Sequence, residues 1–119
     1  MKYFDAEAFK KRCVYDDELQ RTIMEGSVPN IPEQIKKIEE AYRKNEAYTL
    51  EREAHGLKGT SGTLSALKLQ ETAKEIELSA KSGEVKKEAE ELIRSAWEDY
   101  REFLSSIKEE GIYRGDGSS

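Results

Sequence analysis

Apolar residues recur at three-and-four spacing along almost the whole chain, and no segment sustains the alternation of a half-buried strand. Such stripes are buried by packing helix on helix, so the chain must be all-α. Two prolines in 119 residues leave room for long helices. That length suits one domain with one core.

The stripes come in order. Tyr3, Phe4, Ala8 and Phe9 open the chain, and Asp5 can cap a short helix over residues 6–12 that closes one end of the core. Asp16 or Asp17 can cap the next helix, whose apolar line runs Leu19, Ile23, Ile31, Ile35, Ile38, Tyr42. Gly26, Pro29 and Pro32 interrupt that line, but it stays in phase, which predicts one kinked helix over 17–44. Asn45 is placed to cap a helix over 46–65. Leu67, Leu69, Ala73, Ile76 and Ala80 mark a helix over 67–82, with Gly83 as its stop. Val85, Ala89, Leu92, Ile93, Ala96, Tyr100, Phe103, Leu104 and Ile107 mark the last, over 84–109, with Trp97 bordering its core side. The expected architecture is an antiparallel four-helix bundle, up-down-up-down, with a short N-terminal capping helix. Residues 1–110 form the domain in this reading, and 111–119, rich in Gly and Ser, a flexible tail.

Charge and composition narrow the function. The 25 acidic residues outnumber the 20 basic ones, which argues against a nucleic-acid partner. No apolar run is long enough to span a bilayer and no secretory signal is present, so a cytoplasmic protein is expected. Cys13 is expected to be a small packing residue.

The stretch Glu53–Ala66 holds the one histidine of the chain, His55, and three glycines, Gly56, Gly59 and Gly62. Each glycine costs a helix interior roughly 1 kcal/mol against alanine. On a wheel, Ala47, Leu50, Ala54, Leu57, Ser61 and Leu64 form the core face, and His55 lies roughly 130° from its middle, with its ring in solvent. Tyr48, Glu51, Arg52, Lys58, Gly59 and Gly62 share its side. Neutral imidazole is a nucleophile near neutral pH. With no Ser, Cys or Asp placed to form a triad, an exposed histidine suits the receipt of a group from another protein. Lys58 can offset the charge of a phosphoryl group, and the glycines let a partner approach. Glu51 can hydrogen-bond the ring or stay solvated. Glu51 and His55 could also share an ion, but no further ligands are specified, so no metal is expected.

Ala54-His55-Gly56-Leu57-Lys58-Gly59-Thr60-Ser61, continuing to Leu64-Ser65-Ala66, resembles the signature of histidine-containing phosphotransfer (HPt) domains: A-H-x-L-K-G, then small residues, an apolar residue and Gly-Ala. Pro32 and Asn45 fall at family-like distances from His55, and Leu69 and Glu77-Leu78 resemble the following helix. The resemblance covers roughly residues 4–107. It departs at Ser65, where the family usually has glycine.

The resemblance implies a bundle that carries a phosphoryl group on His55, exchanged with the aspartate of receiver domains of response regulators or hybrid kinases. Lys58 and Gly59 match positions that support the phosphohistidine. No cofactor is implied for this chain, since the receiver brings the magnesium ion, and no autokinase activity, since no nucleotide-binding region is present. The expected docking face includes Gly62 and Arg52; Met24, Val28 and Ile31 of the kinked helix are candidates to join it, against the competing reading that they are ordinary core. A monomer is expected. A phosphoacceptor domain cut from a hybrid or chemotaxis-type kinase, and an adaptor bundle never phosphorylated, are the alternatives.

Overall fold

The computed structural model describes residues 1–115. It holds six helices: α1 (Ala6–Arg12), α2 (Asp17–Ser27), α3 (Asn30–Arg43), α4 (Ala47–Thr63), α5 (Leu67–Ser79) and α6 (Glu88–Glu109). Packing runs α3 on α4, α4 on α5, α5 on α6 and α6 back on α3, closing a four-helix bundle. Within the bundle, from α3 to α6, short joints make successive helices antiparallel. The core is a layer of fully buried side chains, including Ile35 and Ile38 of α3, Leu50 and Leu57 of α4, Leu69 and Ile76 of α5, and Phe103 and Ile107 of α6.

Asp5 and Asp16 cap α1 and α2 as expected, accepting hydrogen bonds from the backbone N–H of Ala8 and Leu19. The expected single helix over 17–44 is two hydrogen-bonded helices. Val28 and Pro29 keep right-handed helical angles, but Pro29 has no N–H to donate and Ile31 N–H turns back to Val28 O at 3.1 Å. Pro32 sits in the first turn of α3, where a missing donor costs nothing.

The function expected of Asn45 is corrected. It ends α3 rather than capping α4: its φ is 59°, its N–H bonds Tyr42 O, and Glu46 N–H bonds Ala41 O at 2.9 Å. This left-handed C-terminal motif satisfies two orphan carbonyls. The same closure recurs at Val14 after α1, Ser65 after α4 and Gly111 after α6. Helix α5 stops at Ser79 rather than 82, because Ala80 and Lys81 bond three residues back, to Glu77 and Leu78. Residues 84–86 have no regular structure and Lys87 is in a turn, so α6 begins at Glu88 rather than 84.

Ser65 occupies a left-handed position at φ 57° and its buried Oγ has no hydrogen-bond partner. A side chain there costs about 1 kcal/mol or more, and an orphaned hydroxyl adds to it. Ser65→Gly is therefore expected to stabilise the bundle by about 1 kcal/mol after the larger unfolded-state entropy of glycine is counted, raising the calorimetric midpoint by about 4 °C. An unchanged or lower midpoint would show that the turn carries no such strain.

Helix α1 covers the end of the bundle where α4 and α6 finish. Phe9 is fully buried, and Phe4 meets the Phe103 ring edge-on at 5.5 Å. Arg12 donates to Gly62 O and Thr63 O at 2.8 and 2.9 Å, pairing a cation with the carbonyl end of α4. The expectation of a flexible tail from 111 is corrected at its start: Ile112 and Tyr113 are buried against the core, because Gly111 turns the chain back over the end of α6. Residues 116–119 of that expected tail lie outside the described residues.

Candidate functional site

His55 lies midway along α4. Ala54 and Leu57 turn into the core at 0% exposure, and that rotation leaves the His55 side chain 68% exposed. Its Nδ1 stands 2.8 Å from Glu77 Oε2 on α5. The other oxygen of the same carboxylate, Oε1, lies 2.7 Å from Lys58 Nζ. One acid thus engages two side chains that sit one turn apart on α4.

Glu77 is 8% exposed, and a buried carboxylate is costly unless donors surround it. Burial pushes its pKa up. The hydrogen bonds from Lys58 and His55, with the charges of those two groups, outweigh burial and hold it below the ordinary carboxylate value. Glu77 is therefore ionised at neutral pH and can only accept. Nδ1 of His55 is then the ring nitrogen that donates to it, and in the neutral ring that tautomer carries its lone pair on Nε2.

A lowered folded-state pKa sets the sign of a pH dependence. The stability that Glu77 supplies is fully present above about pH 4.3, the unfolded glutamate value, and is lost as pH falls through the lower folded value. The stability difference between wild type and Glu77→Gln, read by urea unfolding, is expected to shrink on acidification through that window. A difference that grows on acidification would reverse the assignment.

The expected residues divide. His55, Lys58 and Gly59 are gathered on one face. A Cβ built on Gly59 meets nothing within 4 Å, so no packing within the chain calls for glycine there. Arg52 is exposed, with its guanidinium 5.7 Å from the Tyr48 ring centroid. Tyr48, Glu51, Arg52, His55, Gly56 and Glu77 line one open depression.

The other docking expectations are corrected. Met24, Val28 and Ile31 are 0% exposed and form core; their spacing of four and three continues into Ile35 and Ile38, so the inward stripe runs through them and not through Leu19, which is 39% exposed. Gly62 faces α5, where a Cβ would come 2.7 Å from Gln70 Nε2. Its missing side chain serves helix packing. Gly56 faces α3: Gln34 Nε2 donates to Thr60 Oγ1 at 3.0 Å, and Thr60 Oγ1 donates to Gly56 O at 3.2 Å.

Glu77 is the residue that sequence reasoning missed as a site member. Glu51, the acid considered for contact with the ring, instead pairs with Lys81 at 3.5 Å. A signal did exist: Glu77 stands four residues after Ala73 and eight after Leu69, a carboxylate on the apolar stripe of α5. Among the described residues no group of three or more His, Cys, Asp or Glu could hold a metal ion. Nor is any helix among them long and apolar enough to cross a membrane.

The Hpt domain family model matches residues 23–109. A search of curated proteins gave no match. Among solved structures, the chain is similar to histidine-containing phosphotransfer protein B (HptB) from Pseudomonas aeruginosa PAO1, with TM-score 0.82 and 23% identity over 91% of this chain and 93% of that one. It is also similar to the HPT domain of an Hpt sensor hybrid histidine kinase from Shewanella, with TM-score 0.75 and 20% identity over 90% and 92% of the two chains. At these identities the structural likeness speaks for the fold.

Proposed function

The chain belongs to the Hpt domain family, which makes it a histidine phosphotransfer protein of a phosphorelay, and from that premise we propose that His55 is its phosphoacceptor. The observation that carries the assignment is the contact of His55 Nδ1 with the ionised Glu77 at 2.8 Å, on a ring 68% exposed.

The Nε2 lone pair attacks the phosphorus of an aspartyl phosphate on a receiver domain. The N–P bond forms as the P–O bond to the aspartate breaks, and the aspartate leaves as a carboxylate. No proton has to move. The ring keeps its Nδ1 proton and gains positive charge, which Glu77 stabilises at hydrogen-bond distance. Reversal returns the phosphoryl group to a receiver aspartate of the same or another protein.

Lys58 supplies charge. Its ammonium has three donors, so it can keep Glu77 while offering another to a phosphoryl oxygen. Gly59, one turn beyond His55, leaves clearance for the receiver's active site. The receiver contributes the acidic site and its magnesium ion, and positioning with charge stabilisation makes up most of the catalysis. In this reading the chain is a carrier rather than an enzyme, working in the cytoplasm. A single copy suffices, because His55, Glu77 and Lys58 belong to one chain.

The test is a panel of purified receiver domains, each phosphorylated and mixed with this chain. At least one is expected to pass its phosphoryl group, leaving an acid-labile label that mass spectrometry maps to His55. Failure of every receiver to label the chain would favour an adaptor bundle instead.

A further inference from the structure

Tyr48 is 70% exposed. Of the large apolar side chains exposed among the described residues, it is the one carried by α4, the helix of His55. The Arg52 guanidinium stands 5.7 Å from the centre of its ring, within cation–π range. The core does not account for this pair, since α4 buries Leu50, Ala54, Leu57 and Ser61.

The helix fixes where the pair stands relative to the reacting nitrogen. Seven residues separate Tyr48 from His55, which is roughly 10 Å along the axis and about 20° around it. A standard interface covers roughly 800 Å² on each partner, a disc of about 16 Å radius. A patch of that size centred on Nε2 takes in Tyr48 and Arg52 as well. The two sides of His55 differ. Toward the C-terminus, Gly59 presents open space. Toward the N-terminus, a stacked aromatic and cation stand up from the surface. Tyrosine and arginine are the residue types most often found to dominate binding energy.

Resting on the phosphotransfer reading above, we infer that the Tyr48–Arg52 pair is the element that selects among receiver domains. Its occupant is a receiver whose face presents an apolar slot edged by a carboxylate about 10 Å from the phosphoryl-bearing aspartate, the distance set by the helical rise. The slot takes the Tyr48 ring and the carboxylate takes the Arg52 guanidinium. Receivers with a lysine or arginine at that edge are rejected by like charge.

The experiment uses the receiver that transfers fastest to the wild-type chain, in single-turnover assays over a range of receiver concentrations. Tyr48→Ala is expected to raise the half-saturating concentration about tenfold while the rate at saturation stays within twofold. Arg52→Glu is expected to raise it at least as much, and Arg52→Lys and Tyr48→Phe to recover most of the loss. Half-saturation within twofold of wild type for both Tyr48→Ala and Arg52→Glu overturns the inference, as does a loss confined to the saturated rate. Labelling of the wild-type chain by phosphoramidate, which needs no docking, reports on the acceptor separately. If phosphoramidate labels a residue other than His55, the phosphotransfer reading fails, and this inference with it.

Discussion

His55→Gln is expected to take up no phosphoryl group from any receiver domain that labels the wild-type chain. The substitution is chosen to remove chemistry and little else. A glutamine amide can still donate toward Glu77, so the buried carboxylate keeps a partner, but its nitrogen has no nucleophilic lone pair. Because the His55 side chain is 68% exposed, its replacement removes almost no packing. The unfolding midpoint should stay within about 2 °C of wild type, in line with the small effect of surface substitutions. Radiolabel transfer and intact mass both read the outcome. A Gln variant that labels as fast as wild type would sink the assignment of His55.

The second large effect is expected at Glu77. Glu77→Ala removes the one group that holds both the imidazole and Lys58. The ring then loses its orientation and its tautomer preference, and nothing stabilises the positive charge that develops on it. Misplacing a reacting group in this way costs on the order of a hundredfold in rate. Glu77→Gln should fall between the two. Its amide has one acceptor oxygen and one donor nitrogen, so it can accept from His55 or from Lys58 but not serve both as the carboxylate does. The expected order of single-turnover transfer rates is wild type, then Gln, then Ala. Nitrogen NMR of the imidazole supplies a readout that a purely structural role would not move: the Nδ1-protonated form should dominate in wild type and lose its preference in the Ala variant. Equal rates for Ala and wild type would remove Glu77 from the role given to it. The thermodynamic cost should be modest, because removing the acid also removes the penalty of burying it.

How much of this was legible in the sequence depended on the range of the interaction. The α4 core face, Leu50, Ala54, Leu57 and Ser61, could be read from spacing, and the exposure of His55 followed from the same wheel. Both are properties of one helix. The capping aspartates, Asp5 and Asp16, were legible because each acts within three residues. Asn45 suits both a helix N-cap and a left-handed C-terminal turn, and only φ separates the two. Ser65 shows the same from the other side. Its departure from glycine could be seen in the sequence, but its strain could not until the turn was placed.

Met24 and Val28 lie off the expected apolar line yet are buried, whereas Ile31 stands on that line and is buried with it. Two interleaved apolar sets run through α2, and the spacing that continues into Ile35 and Ile38 is the buried one. Gly62 and Gly59 look equivalent on a wheel. They differ because α5 crosses beside Gly62 and brings Gln70 against it, whereas nothing crosses Gly59.

The sequence by itself determined that this chain is a helical bundle presenting one exposed histidine, with a lysine one turn away and a bare glycine beside it. Those features are local, set by a repeat of 3.6 residues and by the geometry of a single helix. What only the tertiary structure decided is which acid meets that histidine. Glu51 lies one turn away on the same helix, yet Glu77, 22 positions further along the chain, makes the contact. The choice depends on how α5 is rotated and shifted against α4, and that is fixed by the packing of whole faces rather than by any local pattern.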